Sequence, residues 1–406
     1  MTDAADLLVT AKELDAVDPL AGYRDRFLPA EGVLAYLDGN SLGRPLRATA
    51  AHLQDFVAAG WGTRLIRGWD EEWLELPARI GDELGRAALG AAPGQCIVAD
   101  STTVLLYKLA RAAVAARPGR TEILVDADNF PTDRYVLEGV ARECGLTLRW
   151  VRADYAGGVS AEAVAEAVGP QTALAVFSHV AYRSGYVADA PAITALVHDA
   201  GGLVLWDLCH SAGAVPARLD AWNVDYAVGC SYKYLNGGPG APAWAYVATR
   251  HQEEFTQPIQ GWLGSADPFG MAPGFVPAQG IRRLVSGTPP ILGMLAMQDM
   301  IALIGEAGIN AIRAKSEALT AYAVAAVDAL LVPAGVVLAS PRQPERRGSH
   351  ITIDHPAFKA ATAALWEQGI IPDYRNPHGL RLGFSPLSTS FTEAWTGITA
   401  VLEQLQ

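Results

Sequence analysis

Between residues 96 and 247 short apolar runs alternate with helical segments, and this alternation constrains the chain more than any other feature. The runs lie at 96–99, 122–125, 146–151, 173–177, 203–206, 225–228 and 243–247. Most are apolar at every position rather than at every second one, the pattern of strands covered on both faces. Helical stretches such as 102–116 and 161–168 separate them. The combination predicts an α/β domain around a mostly parallel seven-stranded sheet. In such a sheet ligands bind just beyond the carboxyl ends of the strands, so the residues that follow each run are the ones to read for function.

The flanking segments read differently. Residues 1–30 look helical with an interruption at Pro19, and a turn-rich loop, Asp38-Gly39-Asn40-Ser41-Leu42-Gly43, follows. A helix over 47–60 leads into a stretch at 61–69 crowded with Trp, Arg and Gly. Residues 261–290 are rich in Gly and Pro and predict a long arm. A long helix over 291–331, with breaks near Gly305 and Gly308, then leads to strands at 336–338, 350–353 and 380–384 and helices at 356–368 and 391–405. The expected division is an N-terminal segment over 1–60, a large α/β domain over 61–290, and a linking helix with a smaller α+β C-terminal domain over 291–406.

Composition removes several function classes. The net charge of −12 disfavours nucleic acid, whose phosphates would be repelled. Cys96, Cys144, Cys209 and Cys230 show no CxxC spacing, which argues against a zinc site and a disulfide framework and fits a reducing cytoplasm. No metal site is expected. The acidic start of the chain does not resemble a secretory signal, and no run reads as an unbroken membrane span.

Several strand ends carry groups of chemical interest. Asp100-Ser101-Thr102-Thr103 precedes a helix, where hydroxyls cap the first turn and exposed N–H groups also suit a phosphate. Asn129-Phe130-Pro131-Thr132-Asp133 follows the second run and places an aromatic ring in a proline-fixed loop. The fourth run ends at Ser178. The fifth ends at Asp207, a carboxylate at the end of a buried strand that is costly unless paired. The sixth leads to Ser231-Tyr232-Lys233 and then a Gly-rich loop. Alone, Lys233 reads as an ordinary turn lysine. Together these groups match pyridoxal phosphate, which needs a lysine amine for a Schiff base, a carboxylate for its pyridine nitrogen, donors for its phosphate and a ring to stack on. No GxGxxG follows the first strand and no Walker loop is present, so dinucleotide and nucleoside triphosphate readings fail.

Longer segments resemble the kynureninase family. They are Tyr36-Leu37-Asp38-Gly39-Asn40-Ser41-Leu42-Gly43, Asn129-Phe130-Pro131-Thr132-Asp133, Trp206-Asp207-Leu208-Cys209-His210-Ser211-Ala212-Gly213 and Ser231-Tyr232-Lys233-Tyr234-Leu235-Asn236-Gly237-Gly238-Pro239-Gly240. Gly261-Trp262, Gly287-Thr288-Pro289-Pro290, Arg347-Gly348-Ser349-His350 and Arg381-Leu382-Gly383-Phe384-Ser385-Pro386-Leu387 follow in the family's order. The resemblance implies the fold-type-I pyridoxal phosphate transferase fold of the class V aminotransferase group. It also implies hydrolytic Cβ–Cγ cleavage of L-kynurenine or 3-hydroxykynurenine to the anthranilate and L-alanine, in tryptophan catabolism.

By the same resemblance Lys233 carries the cofactor and Asp207 pairs with its ring nitrogen. Phe130 stacks on the ring with Asp133 and His210 beside it, while Pro131 and Thr132 shape the loop. Thr102, Thr103, Ser178 and Tyr232 surround the phosphate and ring, with a proton-donor role also open for Tyr232. Trp262 and Thr288 match positions that serve the neighbouring subunit, implying a homodimer. Arg381 matches the grip on the substrate's α-carboxylate, and Ser41 and Trp61 match the lining of its aryl end. Ala181, Arg183 and Cys209 depart from common family residues and leave the ring substituent open, including a substituted kynurenine in secondary metabolism. Three rival readings need features of their own: another class V enzyme such as a cysteine desulfurase wants a cysteine on a mobile loop, a DNA-binding regulator wants a basic domain, and a scaffold has no use for Lys233.

Overall fold

A strand that must run parallel to its predecessor needs a crossover, and here helices 102–115, 131–144, 161–167 and 190–199 supply all but one, the link 208–225 being made of turns. The structure, a computed structural model, describes residues 4–406; the first three residues of the expected N-terminal helix lie outside that range. In chain order the strands are β1 (Ala35–Tyr36), β2 (Cys96–Ala99), β3 (Glu122–Asp126), β4 (Thr147–Val151), β5 (Thr172–Ser178), β6 (Leu203–Asp207), β7 (Tyr226–Gly229) and β8 (Ala243–Val247). The C-terminal strands are β9 (Val337–Leu338), β10 (His350–Asp354), β11 (Ile370–Ile371), β12 (Asp373–Arg375) and β13 (Gly379–Gly383).

The seven strands β2 to β8 form one sheet in the order β2-β8-β7-β6-β5-β3-β4. Pairing is parallel except at β8, which runs antiparallel to both β7 and β2. The link over 230–242 is short and contains no helix, and the chain turns back into a neighbouring strand. Period-two alternation then deals each strand's residues to two cores. Ala175, Phe177, Val204, Trp206 and Ala227 pack on one face, and Leu174, Val176, Leu205, Tyr226 and Val228 on the other. This explains the continuous apolar runs.

The second sheet, β12-β13-β10-β9, is antiparallel and packs through Ile351, Ile353, Leu380 and Leu382. Helix Ala4–Val17 joins this core through Leu7 and Ala11, and β1 pairs in parallel with β11. The N-terminus is thus built onto the C-terminal layer, a non-local pairing that no periodicity reports. The long helix breaks at Gly308, whose φ of 79° suits glycine, into Ile291–Ala307 and Ile309–Ala326. Met294, Met297 and Ile301 from the first part pack on the large sheet, whereas Leu319, Tyr322 and Ala323 from the second pack on the small one.

The helical stretch Ile309–Ala334 is long and apolar enough, by length and composition, to cross a membrane. It carries Arg313, Lys315, Glu317 and Asp328, and its apolar side is part of the C-terminal core.

At the sheet edge opposite the strand ends of interest, Asp225 is buried and serves as a charge node. Its Oδ2 lies 2.7 Å from His198 Nε2 and accepts the Val204 N–H at 2.8 Å, while Oδ1 accepts from Arg250 at 2.5 Å and lies 2.7 Å from His251 Nε2. Burial opposes ionisation, but the bonds from His198, His251 and Val204 outweigh it and hold the carboxyl well below the usual range. A depressed folded pKa contributes stability that is present above the unfolded value of about 4 and is lost as pH falls. Asp225→Asn should therefore lower the melting temperature at pH 7, with a cost of about 3 kcal/mol for breaking a buried ionic cluster. The gap between variant and wild type should narrow as melting is followed from pH 7 to below pH ~4.

Candidate active site

The carboxyl ends of β2, β3, β5, β6 and β7 open on the same edge of the large sheet, so register alone brings their following loops together. Asp207 is the last residue of β6, level with Ser178 on β5 and Val228 on β7. Its Oδ1 accepts the Cys209 N–H at 2.7 Å, and its Oδ2 lies 3.4 Å from Ser178 Oγ. Ser178 Oγ also donates to Asn129 Oδ1 at 2.8 Å, tying the β3 loop to the β5 end.

Lys233 stands four residues beyond β7 and is 8% exposed. The chain has five lysines: Lys12, Lys108, Lys233, Lys315 and Lys359. Three are buried. Of these, Lys108 is paired with Asp100 and Lys315 with Asp18, at 2.5 and 2.7 Å. Lys233 has no carboxylate within ion-pair distance among the described residues. Its Nζ lies 3.3 Å from Nδ1 and 3.1 Å from Nε2 of His210, equidistant enough to be locked to neither. The Phe130 ring centroid is 5.9 Å from Nζ and the Tyr232 centroid 6.0 Å.

Three further groups complete the electrostatics. Asp133 is 1% exposed and its Oδ2 has no hydrogen-bond partner among the described residues. Burial, then the charge of Asp207, raises its pKa well above the ordinary range. His210 is pushed strongly down by burial and by Lys233 and Arg381, so it is neutral at physiological pH. Tyr232 is pushed up, first by burial, and keeps its phenolic proton. It can give a proton but is no base.

The loop 38–43 presses on the lysine segment. Gly43 N–H donates to Tyr232 O at 2.8 Å, and a Cβ on Gly43 would come 2.4 Å from Lys233 O and 2.5 Å from Asn236 Cγ. Only glycine lets this loop approach so closely. Helix Thr102–Ala115 follows β2 and so starts at the same edge, with Ser101 Oγ accepting the Val104 N–H at 3.4 Å. Ser101 is thus the cap, and Thr102 and Thr103 occupy the first turn, where backbone N–H groups have no helical partner.

Arg381 comes from β13 of the small sheet and is 1% exposed. Ser41 lies against it, with Oγ accepting from Nη2 at 2.9 Å. The structure thus separates the two residues expected at the substrate's aryl end. Ser41 sits on the guanidinium, whereas Trp61 is half-exposed and lines an apolar recess of about 460 Å³ with Phe56, Trp69, Trp73 and the Pro289–Leu292 segment. Lys233, Asp207 and Arg381 do not line that recess. Trp262 is 45% exposed and Thr288 is exposed, away from the buried cluster. Pro131 and Thr132 occupy the first turn of helix Pro131–Cys144 and aim Asp133 inward.

Sequence reading missed two features. Asp373 and Tyr182 hold the guanidinium of Arg381, and the signal for the first was the pair of short strands that places Asp373 opposite Arg381. Cys209 and Cys230, distant in sequence, meet at the β6 and β7 ends, where the Cys230 N–H donates to Cys209 Sγ at 3.2 Å. Both are free thiols.

The family described as the kynureninase C-terminal domain matches residues 312–401. A kynureninase from Burkholderia pseudomallei is 42% identical over 404 residues, covering 97% of this chain and 94% of the relative. One from Pseudomonas fluorescens is 40% identical over 399 residues with the same coverage. Among solved structures, a cysteine desulfurase from Escherichia coli superposes with a TM-score of 0.81 at 18% identity, covering 96% of this chain and 98% of its own. One from Thermococcus onnurineus gives 0.80 at 16%, covering 97% of each. At that identity they speak for the fold alone, the fold type I of pyridoxal phosphate enzymes. Full-length identity above 40% is a different matter: the chain belongs to the kynureninase family.

Proposed function

We propose that the protein is a pyridoxal-phosphate-dependent kynureninase that cleaves the Cβ–Cγ bond of L-kynurenine with water, releasing anthranilate and L-alanine. The observation that carries this reading is Lys233, buried without a carboxylate partner at the strand end beside Asp207, in a chain more than 40% identical to kynureninases over nearly its whole length. The residues fit the cofactor. A buried amine, a buried carboxylate, a helix N-terminus and the Phe130 ring converge, and Asp133 Oδ2 is an orphaned buried atom that gains a partner when a polar ring substituent is bound.

When bound, pyridoxal phosphate supplies the electron sink that weakens bonds at the amino acid's α-carbon. This chain's residues do the rest. Lys233 Nζ would hold the cofactor and, as a free amine, would take up the α-proton. Asp207 would keep a proton on the ring nitrogen, and Ser178 and the Cys209 N–H hold its carboxylate in place. Thr102 and Thr103 offer N–H and hydroxyl donors to the phosphate. Phe130 would cover the cofactor ring, and Tyr182 meets it edge-on at 5.5 Å and limits its tilt. Arg381 holds the α-carboxylate. Tyr232, which retains its proton, delivers one to the β-carbon as the aryl fragment departs.

Exposed apolar side chains support a homodimer with shared active sites: Trp262, Phe269 and Met271 on the 261–290 arm and Ile66 and Leu292 beside the Trp61 recess. In that assembly Trp262 and Thr288 would reach the partner's site. The soluble, cytoplasmic setting expected from composition belongs to the same proposal.

Incubating the cofactor-loaded protein with L-kynurenine should yield anthranilate and L-alanine in equal amounts, read by fluorescence and amino-acid analysis. Sulfide release from L-cysteine without anthranilate from kynurenine would replace this reading with a desulfurase.

A further inference from the structure

The Arg381 guanidinium is not free to meet a carboxylate on any edge, because most of its donors are already directed. Asp373 stands directly opposite Arg381 in the β12–β13 pairing. Its Oδ2 accepts the Nε–H at 2.9 Å and a second bond from Nη2, so Asp373 occupies the side-on fork. Nη1 donates to the Tyr182 carbonyl at 2.8 Å and Nη2 to Ser41 Oγ at 2.9 Å. A guanidinium has five N–H donors. Four are assigned, and the one left is on Nη1.

The donors that remain for a ligand are the unassigned N–H on Nη1 and the Nη2 N–H now directed at the Ser41 hydroxyl. Ser41 Oγ also lies 3.4 Å from Asp373 Oδ2, an alternative acceptor for its proton when a carboxylate takes its place on Nη2. Arg375 Nη2 reaches the same Asp373 oxygen at 2.9 Å, so Asp373 is shared between two guanidiniums and is itself held from both sides.

We propose that Asp373 is the positioning residue of the substrate-carboxylate site: it fixes Arg381 by the side-on fork and leaves only the remaining Nη1 and Nη2 donors, the second guarded by Ser41, for the incoming carboxylate. This rests on the reading of Arg381 as the carboxylate clamp. Asp373 does not touch substrate and acts through Arg381. A purely electrostatic role has the opposite sign, because removing a negative charge next to the clamp would strengthen anion binding.

Steady-state kinetics on the cofactor-loaded enzyme separates these roles. Arg381→Ala, Asp373→Asn, Asp373→Glu and the double variant Arg381→Ala/Asp373→Asn are compared with L-kynurenine as substrate and its α-carboxamide as inhibitor. Positioning predicts that both Asp373 variants raise KM by roughly tenfold while kcat changes by less than about threefold. Asp373→Asn should add nothing in the Arg381→Ala background, since both act as one unit. Affinity for the carboxamide, which lacks the charge that Arg381 reads, should stay within about twofold in Asp373→Glu, separating a site effect from general damage. Wild-type KM in Asp373→Glu would overturn the proposal, because a charge anywhere near would then suffice. A full Asp373→Asn penalty persisting without Arg381 would also overturn it. An unchanged KM in Arg381→Ala would instead remove the clamp reading beneath it, an outcome visible before the Asp373 variants are compared.

Discussion

Lys233→Ala is expected to abolish kynurenine cleavage, lowering kcat by at least about 10⁴-fold, because one amine both holds the cofactor and moves the α-proton. The visible absorbance of the covalently held cofactor should disappear with it. The protein should still fold. Lys233 is in no ion pair among the described residues, so its truncation breaks none, and His210, neutral already, loses only a weak neighbour. A near-wild-type melting temperature with no activity is the predicted combination. Activity rescued by added small amines would reinforce it, since a free amine can replace the missing base.

Asp207→Asn carries the second largest effect, a fall in kcat of about 10³-fold, the order of magnitude for removing a preorganised charge from the reacting system. The amide is nearly isosteric and can still accept the Cys209 N–H, so the loop geometry beyond β6 is kept while the charge opposite the ring nitrogen is lost. Asp207→Glu keeps the charge but displaces it from the level of Ser178. It should therefore retain more activity than the amide. Equal loss in the two variants would mean that Asp207 acts by shape and not by charge.

Most of the large sheet was legible in the sequence because its physics is local. A run such as Leu203–Asp207 is apolar on both faces only where two layers cover it, and links long enough to cross over, most of them helical, allow parallel order. The strand-end rule then located Asp207, Ser178 and Lys233 without any knowledge of register. What stayed hidden depends on pairings between distant segments. The N-terminal helix gives no sign that Leu7 will pack on the C-terminal layer, and β1 and β11, two residues each, are too short for any periodicity. Asp373 illustrates the same limit within the site, since it matters only once a hairpin sets it opposite Arg381. The contact between Ser41 and Arg381 was hidden for a related reason. Its loop is fixed by contact with the lysine segment at Gly43, which turns the hydroxyl to the guanidinium and not to the Trp61 recess. Cys209 and Cys230 read as unrelated until adjacent parallel strands brought them together.

The most direct test of the central claim is chemical. The cofactor-loaded protein is reduced with borohydride, digested and mapped by mass spectrometry. The account predicts a single phosphopyridoxyl adduct, on the peptide containing Lys233. An adduct on Lys12, Lys108, Lys315 or Lys359 with Lys233 unmodified would contradict it.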